Sequence, residues 1–271
     1  MSIRRVLTAA LVVVALAGCG SATGRLSASG PPSPTTSPTS SASPLVSLIA
    51  PAPPALPASP ASPGSPPATR PPAAAAGPFT LDLYRRGIYA MQATWWWCTA
   101  ASIEMLRNIS LHQTDHSPAD QERYFDYSHA HDAYVMPADE GVDLVGLQAG
   151  LRHFVAPAYT LTASATYDAA VRDAVTRLRQ SRRPVVLVVD AGRHVWLMTG
   201  FTATADPASG SSFRVLSVRI VGPLYGRQSV NGYDPPPDTR LSVDALRRFL
   251  LPYHFKFGPT PWDHRFVTYG A

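Results

Sequence analysis

Cysteine is nearly absent: the 271 residues hold two, Cys19 and Cys98. So few exclude a disulfide scaffold. Acidic residues are missing from the first 78 positions, and all 18 lie after Phe79. No apolar run reaches bilayer-spanning length. Proline is plentiful, with 28 residues, 16 of them between Pro31 and Pro78, where Arg70 is the only charge. The basic pI near 9.4 comes from Arg4, Arg5, Arg25 and Arg70. In 79–271, 18 arginines and one lysine, Lys256, face the 18 acids, a net charge of +1. A nucleic-acid partner needs a basic folded surface, so none is expected. The segment 79–271 has 193 residues, enough to bury a core.

The first residues run from basic (Arg4, Arg5) through an apolar stretch, Val6 to Ala15, to Leu16-Ala17-Gly18-Cys19. The apolar run is too short to span a bilayer and ends in small residues, as an export signal does. Leu-Ala-Gly-Cys in that position resembles the bacterial lipobox. The resemblance implies a signal peptide over 1–18 and lipid attachment at Cys19, holding an exported protein to the outer face of the membrane. Residues 19–78 offer little apolar surface beyond Leu45-Val46-Ser47-Leu48-Ile49, so they are expected to form a disordered tether. With Cys19 acylated, Cys98 has no partner and its thiol is free.

Periodicity then predicts helices over Cys98–Asn108, Asp120–Ser128, Val142–Phe154 and Tyr167–Gln180. Pro184–Val189 is a continuous apolar run suited to a buried strand. Val195–Ala203 and Phe213–Val221 follow as strands, then a helix at Val243–Leu250 and a strand at Arg265–Tyr269. This order implies an α+β domain with its helices on one side of an antiparallel sheet.

Three residues carry chemistry on this map. Cys98 stands where a loop becomes a helix, and the positive end of the helix dipole favours a thiolate. His194 begins a strand and, if brought near, can hold an ion pair with the thiolate and pass a proton to a leaving group. Gln92, six residues before Cys98, offers an amide N–H that, with the Cys98 backbone N–H, can hold an oxyanion. The blocks Gln92-Ala93-Thr94-Trp95-Trp96-Trp97-Cys98-Thr99-Ala100-Ala101-Ser102 and Gly192-Arg193-His194-Val195-Trp196-Leu197-Met198-Thr199-Gly200-Phe201 resemble those of the papain-like cysteine peptidases. Within that family they most resemble the bacterial branch that includes the proteases which cut double-glycine leader peptides. The resemblance implies a papain-like fold, peptide-bond hydrolysis, Cys98 as nucleophile, His194 as base and Gln92 as oxyanion residue. It implies no cofactor and no metal, a peptide or protein substrate in the cell envelope, and a monomer.

One position departs from that pattern. The strand after the histidine usually ends in an Asp or Asn that orients the imidazole, often followed by Pro. Here Gly222 occupies the place, in Ile220-Val221-Gly222-Pro223. A backbone carbonyl, a water, Asp190 or Asn231 are then the candidate orienters. The alternative function is a degenerate papain-like domain that binds a peptide or an envelope partner. Trp95, Trp96 and Trp97 are expected to divide between cleft rim and core. A third reading, metal capture, rests on His112, Asp115, His116, His129, His131 and Asp132; a solvated polar loop is the expectation there.

Overall fold

Val185–Val189 is five apolar residues in a row, all buried, and the alternation of a strand sends them to two different places. Val186 and Val188 join one hydrophobic core, while Val185, Leu187 and Val189 join a second. An uninterrupted apolar strand requires cover on both faces of its sheet, and that requirement organises the molecule.

The structure is a computed structural model. It describes residues 77–271 except Val135, Ala138, Ser211 and 228–233. The signal segment 1–18, Cys19, Asn231 and all of the tether except Gly77 and Pro78 lie outside the described residues. The elements run β1 (Phe79–Asp82), α1 (Cys98–Leu111), α2 (Pro118–His129), α3 (Leu144–Phe154), β2 (Thr160–Ser164), α4 (Tyr167–Ser181), β3 (Val185–Val189) and β4 (His194–Ala203). β5 (Val215–Val221), β6 (Thr239–Ser242), α5 (Val243–Leu246) and β7 (Phe266–Gly270) complete the chain.

One sheet, in the order β2-β7-β3-β4-β5-β6, forms the middle layer, and every strand pair in it is antiparallel. β3 pairs with the first half of β4, and β1 pairs with the second half, Gly200–Ala203. The domain is therefore α+β, with mixed helices and an antiparallel sheet. Its helices, however, do not lie on one side. α1, α2 and α3 cover one face through Ile103, Leu106, Tyr124, Leu147 and Leu151. α4 and α5 cover the other through Val171, Val175, Leu178 and Leu246. The second layer exists because the outward side chains of β3, β4 and β5 are also apolar: Leu187, Trp196, Met198, Val218 and Ile220 are all buried.

The helix predictions agree in place with α1 to α4. α5 is shorter than Val243–Leu250 because its last turn tightens to three-residue hydrogen bonds, from Arg248 N to Ala245 O and from Phe249 N to Leu246 O. Ser117, Asp143, Thr166 and Ser242 cap α2, α3, α4 and α5 with side-chain oxygens. Among the described α-helices, α1 alone has no side-chain cap, and no acid lies in its first turn. No helix among the described residues is long and apolar enough to cross a membrane.

Leu197 on β4 is fully buried against the α1–α3 layer. Its truncation, Leu197→Ala, should cost about 2–5 kcal/mol, read as a lower urea midpoint with unchanged slope.

Candidate active site

The bare end of α1 carries Cys98. Ala101 N–H bonds to Trp97 O, and among the described residues no side chain takes the donors before it, so the helix presents N–H groups and its positive pole at the thiol. Cys98 is half-buried and is the free cysteine among the described residues.

β4 begins at His194, which pairs with Val189 and is 7% exposed. Cys98 is among the neighbours whose hydrogen bonding and charge act on the His194 ring. The sheet thus brings together two of the predicted residues from positions nearly a hundred residues apart. On its other side, His194 Nε2 lies 3.0 Å from an Asp234 carboxylate oxygen. That leaves Nδ1 as the ring nitrogen free to face the sulfur.

Asp234 is the residue that sequence reasoning missed. It is 4% exposed, and its carboxylate accepts from three groups: His194 Nε2, Trp196 Nε1 at 2.8 Å and Leu224 N at 2.6 Å. His194 and Trp196 are two apart on β4 and so project from the same face, which lets one carboxylate serve both. Gly222 is what admits it. A Cβ on Gly222 would sit 2.4 Å from an Asp234 oxygen and 2.7 Å from Trp196 Nε1. The place of the expected acid is empty so that an acid from a later segment can fill it. Among the candidate orienters, Asp190 touches this site by charge alone, and Asn231 lies outside the described residues. The sequence did contain a signal: Asp234 precedes Pro235, the acid–proline pair expected after Val221, displaced twelve residues along the chain.

The electrostatics follow from these contacts. Burial acts against a charged His194, but the Asp234 hydrogen bond, and then Cys98, outweigh it and push the imidazole up from 6.5 to about 10. His194 is thus held as an imidazolium between a carboxylate and a sulfur. Asp190 is raised by its own burial, against the pull of His194 and Arg193.

Gln92 is fully buried. Its Nε2 donates to Thr94 O at 2.8 Å, one amide hydrogen remains, and Oε1 has no partner. No hydrogen bond joins its side chain to Cys98 or His194, so the structure places it on the turn leading into α1 without linking it to the pair.

A cleft of about 440 Å³ opens beside Cys98. Trp95, Trp96, Gly192 and Phe257 are among its lining, as are the ion-paired Glu140 and Lys256. Trp95 is 52% exposed. Trp97 turns inward and stacks on Phe125, so the three indoles divide between rim and core as expected. Gly192, at φ 101°, is needed here because a Cβ would strike the Tyr253 ring at 2.6 Å.

The histidines of 112–132 do not converge. α1 ends before His112 and α2 starts after His116, and both histidines are exposed. His131 Nδ1 lies 2.7 Å from Tyr127 O, and His129 Nδ1 lies 2.8 Å from Asp132 Oδ2 without hydrogen-bond alignment. Among the described residues, no group of three or more His, Cys, Asp or Glu is placed to hold a metal. In comparison with known proteins, the chain matches no family model and no curated protein.

A histidine raised from 6.5 to about 10 stabilises the fold fully below pH 6.5, and that contribution fades as pH rises towards 10. Asp234→Asn should therefore cost about 3 kcal/mol in urea unfolding at pH 6 and much less at pH 10. A deficit of the same size at both pH values would deny the ion pair. Gly222→Ala should move Asp234 off the imidazole and lower the titration midpoint of His194, followed by NMR.

Proposed function

We propose that residues 79–271 form a papain-like thiol hydrolase that cleaves peptide bonds, with Cys98 as nucleophile, His194 as acid and base, and Asp234 as orienter. The observation that carries this reading is the file of sulfur, imidazole and carboxylate at the uncapped end of α1. The matching blocks around Cys98 and His194 support it, as does the displaced acid that Gly222 admits.

The chemistry runs as two displacements. The Cys98 thiolate adds to the substrate carbonyl carbon, and the carbonyl electron pair moves onto oxygen. The Cys98 N–H at the bare helix end and the free amide hydrogen of Gln92 are the donors assigned to that oxyanion. As the carbonyl re-forms, the C–N bond breaks and His194 gives its proton to the departing amine, leaving a thioester on Cys98. Water then adds to the thioester while His194 takes a proton back. The carboxylic acid leaves, and the thiolate–imidazolium pair is restored.

The lipobox-like start supports an extracytoplasmic setting for this chemistry. Under this reading a diacylglyceryl group on Cys19 anchors the protein, residues 20–78 act as a tether, and peptides or proteins of the envelope are the substrates. If extended, Pro31 to Pro78 reaches on the order of 150 Å at about 3.1 Å per residue.

The wild-type protein should label with iodoacetamide at pH 6 at least about tenfold faster than free cysteine if the sulfur is the nucleophile partnered by His194 that this reading requires. His194→Ala should remove that advantage. In a peptide-library digest, the wild type should cleave and Cys98→Ala should not. Background cleavage by both, with labelling no faster than free cysteine, would rule the reading out.

A further inference from the structure

Gln92 is held in place from two sides. Its own N–H bonds to Pro223 O at 2.9 Å, in the segment that also sends Leu224 N to Asp234. On the opposite edge, the side chain of Gln121 from α2 meets both peptide groups that flank Gln92. Its Nε2 donates to Met91 O at 3.0 Å, and its Oε1 accepts from Ala93 N at 2.9 Å. A primary amide in this pose imitates a neighbouring β-strand.

Gln121 is itself fixed. It is 2% exposed, and its Nε2 also donates to Glu104 Oε2 at 2.6 Å. Glu104, fully buried on α1, accepts from Ser117 N at 2.8 Å with its other oxygen. The chain of bonds runs from the helix that carries Cys98, through Glu104 and Gln121, to the backbone on either side of Gln92. An amide with both hydrogens and its oxygen engaged has no freedom to rotate.

We infer that Gln121, braced by Glu104, is a positioning residue for the oxyanion donor: it fixes Gln92 in register with Cys98. This inference rests on the thiol-hydrolase reading and deepens it. It needs two reactions of one sulfur that differ in their demand for an oxyanion. Alkylation by iodoacetamide displaces iodide directly and forms none. Acylation by p-nitrophenyl acetate passes through a tetrahedral oxyanion and releases p-nitrophenolate as a measurable burst.

In the full chain, Gln121→Ala should slow the acylation burst by about tenfold or more while alkylation stays within about twofold of wild type. Gln92→Ala should show a similar loss, and adding Gln121→Ala to it should cost little more, because the second residue acts through the first. Gln121→Met, which keeps the volume, serves if the alanine variant does not fold. Unchanged acylation in the Gln121 variants, an equal fall in both reactions, or independent losses that multiply in the double variant would each overturn the inference. A wild-type protein with no burst, and with alkylation no faster than free cysteine, would instead remove the hydrolase reading beneath it.

Discussion

The carboxylate of Asp234 is the joint on which the site turns. A buried carboxylate persists only where N–H groups replace its lost water, and this one receives three, from His194, Trp196 and Leu224. Each donor implies a further constraint. The spacing of His194 and Trp196 depends on the register of β4 against β3, where Val189 pairs with His194. The approach of Leu224 depends on the turn after β5, and the space for the carboxylate depends on Gly222 having no side chain. Pro235 restricts Asp234 to an extended backbone, which helps to aim its side chain.

The same economy governs the other end of the pair. Four α-helices spend a Ser, Thr or Asp on capping their first turn, and α1 spends none. An acid or a capping hydroxyl there would occupy the N–H groups that this end leaves open. The helix start is instead stabilised from behind. Ten residues of α1 are buried, Trp97 stacks on Phe125, and Glu104 and Gln121 tie α1 to α2 and to the strand-like segment 91–93. Packing on one face of the sheet thus offsets a helix end left open.

Much of this was legible from residues alone, and the gaps have physical causes. The four longer helices were readable from apolar spacing, and β3 from its run of valines. β1, β2 and β6 were not foreseen, because four or five half-exposed residues such as Thr-Arg-Leu-Ser carry almost no periodic signal. The second helical layer was hidden although its evidence was present: a strand apolar at every position needs two covers, whereas the helix order invited one. Cys98 and His194 stood out by local context. Asp234 did not, because its role depends on a loop that returns to the end of β5, and the sequence marked only the vacancy at Gly222 and an acid–proline pair twelve residues further on. The clamp at Gln121 was likewise invisible, since a polar residue on an amphipathic helix reads as solvent-facing until the tertiary contacts are known.

Trp196 belongs to two neighbourhoods at once. Its indole N–H steadies Asp234, while its ring packs 4.7 Å from that of Phe249, just beyond α5 in the layer on the far side of the sheet from α1. Distance from the sulfur therefore does not insulate a residue from the site. Exchanges that reshape the hydrophobic bed around Phe249 would tilt the indole, and with it the carboxylate that meets His194.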